Sequence, residues 1–251
     1  MLTYIIAAAI VFIFTTVLTI AGLGAAFILI PAFYWLGIPL KEAMAVALLL
    51  NSISMIFASR TYIKHKLVVF KTAIPIIIIA VIFSPLGAYC TQFVNRDVLL
   101  WLFNAFLIFA GSMMIFYRAK EREKPHTASR ELGYGLGVGT VAGYLGGLLG
   151  VGGGNFIVPV LVWLGFDPKK ASGTTAFIVI FSSLAGFLGH ASLGNMNWNL
   201  LIFATIGSVA GAVLGAYLMQ ARLKSSQVKI IIGIVLYAIA IKMIWDLVSK
   251  S

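Results

Sequence analysis

The sequence predicts an all-α polytopic membrane protein of two inverted repeats. Each repeat has about four to five transmembrane or re-entrant helices, including a short half-helix interrupted by Gly and Pro. Three observations predict this. Hydrophobic residues make up 61% of the 251 positions and charged ones 10%, with a mean hydropathy of +1.06, which places the chain in a bilayer. Residues Gly22 to Ala43 recur without a gap at Gly150 to Ala171, at an offset of 128, the mark of a duplicated unit. Finally, loops that match under this offset differ in charge, which assigns them to opposite sides of the membrane.

The offset superposes Gly22 on Gly150, Gly24 on Gly152, Pro31 on Pro159, Trp35-Leu36-Gly37 on Trp163-Leu164-Gly165 and Lys41 on Lys169. Further on it sets Gly87-Ala88-Tyr89 on Gly215-Ala216-Tyr217. Five apolar segments fall in each copy. The first copy has Tyr4 to Ile20, Gly24 to Leu36, Ala43 to Ser59, Thr72 to Phe93 and Val98 to Tyr117. The second has Leu132 to Leu148, Gly152 to Leu164, Ala171 to Gly189, Trp198 to Gln220 and Val228 to Val248. The second segment of each copy has 13 residues, against the roughly 20 that a spanning helix needs, so both are half-helices or parts of re-entrant hairpins. Pro75 and Pro85, inside one segment, predict kinks. The charged stretch 118–131 is the one linker, dividing the chain into a first repeat (1–117) and a second (132–251).

The first twenty residues lack a positive leader region and their apolar run continues to Gly37, so they read as mature protein. The net charge of +11 is carried by short loops, where it sets topology rather than binding nucleic acid. The loop after the third segment of copy one holds Arg60, Lys64, Lys66 and Lys71, whereas its counterpart His190 to Asn197 has no Lys or Arg. The first is therefore cytoplasmic and the second outside. The linker, Lys169-Lys170 and the Arg222, Lys224, Lys229 group then fall inside and the amino terminus outside; Lys242 and Lys250 fit less well. The expected location is the cytoplasmic membrane.

Cys90, the single cysteine, excludes an internal disulfide and a Cys-based metal site. There is no His/Cys/Asp/Glu cluster and no Ser/His pair at one depth, so no metal, cofactor or catalytic group is expected. His190 is expected at the outer face, solvated. All seven acidic residues lie in loops or near segment ends, which argues against a carboxylate-lined cation path.

What remains is a path lined by dipoles. The run Gly150-Val151-Gly152-Gly153-Gly154-Asn155 cannot hold an uninterrupted helix. A half-helix starting there would aim backbone N–H groups and its positive dipole end at an anion in mid-membrane. Gly22 and Gly24 open the matching segment. Asn51-Ser52 and Thr174-Thr175 follow on the next helix of each copy, able either to replace an oxyanion's hydration shell or to bond within the helices. The regularly spaced Gly207, Gly211, Gly215 and Gly135, Gly139, Gly143 read as packing stripes. Copy one has Ala25-Ala26 where copy two has Gly153-Gly154, and Asn51 where copy two has Val179, so the second copy carries more of the binding.

The run Gly147 to Pro159, with Ala171 to Thr175 and the degenerate Gly22 to Pro31, resembles the TauE/SafE family of membrane proteins, the sulfite exporters. The resemblance extends over essentially the whole chain. It implies transport of sulfite, sulfonates such as sulfoacetate, or related sulfur oxyanions across the cytoplasmic membrane of a prokaryote. Rocking of one repeat on the other gives alternating access. The expected partners are that anion and the lipid bilayer, and a homodimer is compatible with the chain. Passive channel or uniporter behaviour is the alternative, and a non-transporting membrane scaffold the competitor from another class.

Overall fold

A computed structural model describes residues 2–26, 29–30, 33, 38, 40–91, 93, 96–116, 128–191 and 198–249. The described residues form α1 (Leu2–Ala21), α2 (Leu40–Lys64), α3 (Phe70–Cys90), α4 (Arg96–Phe116), α5 (Ala128–Leu148), α6 (Gly154–Trp163), α7 (Pro168–Ala191), α8 (Trp198–Ala221) and α9 (Ser225–Val248), with no strand among them. Ala26, Leu29, Ile30 and Phe33 are also helical, where the first half-helix was expected. The remainder of that half-helix lies outside the described residues. So do 118–127, while α5 takes in Arg130 and Glu131 from the expected linker.

Five of the helices, α2, α3, α7, α8 and α9, are long and apolar enough to cross a membrane. The ten residues of α6 reach only about 15 Å, half the hydrocarbon thickness. Local sequence sets the ends. Asp167 caps α7, its Oδ1 accepting from the backbone amides of Lys169 at 2.9 Å and Lys170 at 3.2 Å, and Pro168 occupies the first turn, where no amide is needed. Lys169 Nζ donates to the Gln220 carbonyl at the end of α8 (3.2 Å). At the end of α6, the Phe166 amide donates to the Leu161 carbonyl and that of Gly165 to Val162, both at 3.0 Å, the bonding of a Schellman cap. Copy one repeats it: Ile38 donates to the Phe33 carbonyl at 3.0 Å.

The packing follows the duplication. α1 packs on α8 as α5 packs on α3; α2 packs on α8 as α7 packs on α3; α2 meets α7 and α4 meets α9. Exchanging the copies leaves this set unchanged. Glycines make both of the first contacts close. Along α5, Gly135, Gly139, Gly143 and Gly147 lie on Pro75, Ile79, Ala80 and Ser84 of α3; along α8, Gly207, Gly211 and Gly215 lie on the carbonyls of Ala8, Phe12 and Thr16. Apart from Gly147, which extends the first, these are the packing stripes that the spacing predicted. Two pairs of equivalent helices, α2 with α7 and α4 with α9, run antiparallel where they meet. On α2 and α7, Leu48 meets Gly186, Asn51 meets Ser183 and Ser52 meets Ile180. On α4 and α9, Gly111 meets Tyr237 and Ile115 meets Gly233.

The outer faces are apolar. Ile74, Ile78 and Ile82 of α3, Ile202 and Ile206 of α8, and Ile230, Ile234 and Ile241 of α9 are all exposed, the arrangement of helices solvated by lipid. Inside, α2 and α7 form the buried centre, and this is where the glycine loops converge.

Candidate functional site

The two glycine loops share one turn and part at the half-helix start, where Gly153 has a φ of 79° and its equivalent Ala25 does not enter the left-handed region. Gly22 and Gly150 have φ of 71° and 69°, Gly24 and Gly152 of 78° and 74°. The turn bonds match as well: Leu23 N donates to Leu18 O and Gly22 N to Thr19 O, as Val151 N does to Gly146 O and Gly150 N to Gly147 O. At Gly24 and Gly152 glycine is required twice over. The left-handed φ costs about 1 kcal/mol or more in any other residue, and a methyl group there would run into the Asn51 amide or the Ser183 hydroxyl.

Each loop lies against the long central helix of the other copy. Ser172 presses on Gly22 and Met44, its repeat equivalent, on Gly150. Ser172 Oγ donates to the Ala21 carbonyl at 3.1 Å. Where α2 and α7 cross, Ser52 Oγ donates to the carbonyl of Ile180 at 2.9 Å; 52 and 180 are equivalent positions. Both hydroxyls thus bond the opposite copy rather than their own helix.

Asn51, fully buried, joins the two loops. Its Oδ1 accepts from the backbone amide of Ala25 at 2.9 Å and its Nδ2 donates to Ser183 Oγ, also at 2.9 Å. Ser183 abuts Gly152, while the neighbouring Ser182 Oγ donates to the Gly152 carbonyl at 2.7 Å. A side chain expected to face a substrate is therefore the cap on the first half-helix, and its second hydrogen bond crosses between copies.

The α6 end is different. Its N-cap is Gly153 at φ 79°, with no side-chain cap. The amides of Gly153, Gly154 and Asn155 meet no acceptor among the described residues. The carboxamide of Asn155 is buried with both Oδ1 and Nδ2 unpartnered, and the Thr175 hydroxyl is in the same condition. Gly154 is held between the Leu23 carbonyl and Val179. Thr174 stands apart, its Oγ1 accepting from the Val69 amide at 3.0 Å in the α2–α3 connection.

The structure thus brings Gly24, Asn51, Ser52 and Gly152 together at the α2–α7 crossing, with Gly22 on Ser172, Gly150 on Met44 and Gly154 on Leu23 and Val179; Gly153 packs on Ala142 of α5, Asn155 and Thr175 are buried on α6 and α7, and Thr174 bonds Val69. Ser183, Ser182 and Ser84, whose Oγ donates to the Ser182 carbonyl at 3.0 Å, complete the assembly. Helical spacing was the signal for the α7 serines, since 172, 175, 179, 182 and 183 share one face. His190 corrects the sequence reading: it is 1% exposed, with Nε2 3.0 Å from the Gly147 carbonyl, because α7 carries it back beside the α5–α6 loop. The buried polar side chains among the described residues are Ser, Thr, Asn, Tyr62 and this His, without Asp, Glu, Lys or Arg.

Residues 6–243 match the family model described as "Sulfite exporter TauE/SafE". The chain belongs to the TauE/SafE family. It is similar to "Probable membrane transporter protein YunE" of Bacillus subtilis, 28% identical with 92% of this chain and 93% of the relative covered. "Probable membrane transporter protein MJ0441" of Methanocaldococcus jannaschii is 29% identical over 67% of this chain and 65% of its own length. "Sulfite exporter TauE/SafE family protein 5" of Arabidopsis thaliana is 28% identical over 45% of this chain and 27% of that protein. No solved structure matches. The TauE/SafE span takes in both glycine loops and both central helices, so every candidate residue lies within it, in a multi-pass membrane protein with relatives named as probable membrane transporters.

Proposed function

We propose that the chain moves small sulfur-containing oxyanions, such as sulfite, sulfoacetate or related sulfonates, across the cytoplasmic membrane by alternating access between inverted repeats. The observation that carries this is the junction of two glycine loops and two half-helix starts in a buried centre furnished only with uncharged donors. Backbone amides at a helix start attract an anion through unsatisfied N–H groups and the helix dipole, without the desolvation that a buried Lys or Arg would cost. The site is assigned to Gly22, Gly24, Asn51, Ser52, Gly150, Gly152, Gly153, Gly154, Asn155, Thr174 and Thr175. The antiparallel course of two pairs of equivalent helices and the exchange symmetry of the packing support inversion, and the family description supports a sulfur oxyanion. On this reading the amino terminus is outside.

In proteoliposomes the purified protein should move sulfite or sulfoacetate down a concentration gradient. If none of a broad panel of oxyanions moves under any gradient, the reading fails and a scaffold takes its place. A passive channel or uniporter is the second reading, favoured by the lack of a buried carboxylate among the described residues. Imposed pH or Na⁺ gradients that leave the flux unchanged would select it. For topology, single cysteines placed at His65 and Ser192 in a Cys90→Ser background should label from opposite sides; labelling from one side would remove the inversion.

A further inference from the structure

The two half-helix starts are not alike in what meets them. In copy one the Ala25 amide is taken by Asn51 Oδ1. The position equivalent to Asn51 is Val179, which offers no acceptor and whose Cγ2 would lie 3.1 Å from a methyl on Gly154. The position equivalent to Ala47 is Thr175, on the α7 face that touches the loops at Ser172, Val179 and Ser183. Its hydroxyl is wholly buried and has no partner. Asn155, the second residue of α6, is 1% exposed with both amide atoms unpartnered. Helical side chains lean toward the amino-terminal end, so in the first turn this carboxamide is directed at the open end of the helix. Buried polar groups in native proteins find a partner in protein, water or a bound ion. Asn155 differs from the unpartnered Ser59 and Asn104 in standing at a helix start, which favours an anion, and from Thr72 in an amide that meets no acceptor among the described residues.

We infer that the anion binds from one side, at the start of α6, to the amides of Gly154 and Asn155, Asn155 Nδ2 and the Thr175 hydroxyl. This rests on the transport reading above. In copy one Asn51 Oδ1 already takes the Ala25 amide, the equivalent of Gly153, so that half-helix start carries an acceptor of the protein's own. The donors are all N–H and O–H groups and none is charged. These donors suit a small oxyanion presenting several acceptor oxygens, such as sulfite or a sulfonate group, and Asn155 Oδ1, also unpartnered, is left to accept from water or a protonated ligand oxygen.

The test is the concentration dependence of radiolabelled sulfite uptake into proteoliposomes, for the full chain and three variants. Thr175→Val, isosteric, and Val179→Asn, which supplies α6 with the cap that copy one has, should each raise KM about tenfold or more, since a hydrogen bond to a charged group is worth at least that factor. Ser59→Ala removes another buried, unpartnered hydroxyl and should stay within about twofold. Sulfite uptake whose KM is unchanged in both Thr175→Val and Val179→Asn overturns the one-sided site and leaves the transport reading standing. If the wild-type protein neither moves sulfite nor gains thermal stability from any oxyanion, both fall together.

Discussion

The loop at Gly22 and the loop at Gly150 share the backbone of their turn and part at the half-helix start, where Gly153 is left-handed and Ala25 is not. Their φ angles agree at both matched glycines and each presses on the other copy's central helix. Yet one ends in an amide tied to Asn51 and the other in amides with no acceptor among the described residues. Duplication accounts for the shared turn, and the differences at 51/179, 47/175 and 25/153 account for the unlike surroundings of the two half-helix starts. A symmetric frame suits alternating access, whereas an asymmetric lining gives an anion one preferred attachment.

The largest effect should come from abolishing the shared backbone. Gly24→Leu and Gly152→Leu should each lower the unfolding free energy in detergent by about 4 kcal/mol, combining left-handed strain with overlap onto Asn51 or Ser183. Similar losses at the two positions would support the equivalence, and a loss at only one would break it. Next, Asn51→Val makes copy one resemble copy two. It leaves the Ala25 amide and Ser183 without their bonds and should cost about 2 kcal/mol in the same assay. Ser183→Ala spares the Ala25 bond and should cost about 1 kcal/mol. The smallest effect is expected away from the loops, where Thr15 and Ser208 share a long hydrogen bond of 3.4 Å between α1 and α8; Ser208→Ala should change stability by less than about 0.5 kcal/mol.

Much of the frame could be read in the sequence because its causes are local. Apolar runs located every described helix, and the glycine spacing on α5 and α8 identified their packing faces. Hydropathy marks the crossing rather than the helix, so α2 runs on to Lys64 and α7 starts at Pro168, beyond the apolar segments. The glycine loops and the polar helix positions could be picked out in the sequence, but not the bonds they make. Asn51 read as a substrate ligand because nothing in a linear pattern shows that Ala25 and Ser183 converge on it; only loop closure and the α2–α7 crossing do that. His190 misled for a related reason: its position near a helix end says solvent, while packing beside Gly147 buries it.

The central claim is that the start of α6 receives the anion while the corresponding place in copy one is held by Asn51. Selenite is a close analogue of sulfite with an anomalous scatterer at its centre, so crystals of the protein soaked in selenite test the claim directly. A single selenium peak beside Asn155, Thr175 and the Gly154 amide, with Asn51 still bonded to Ala25, is the predicted result. A peak at the Ala25 amide with Asn51 displaced, or equal peaks at both loops, would contradict it.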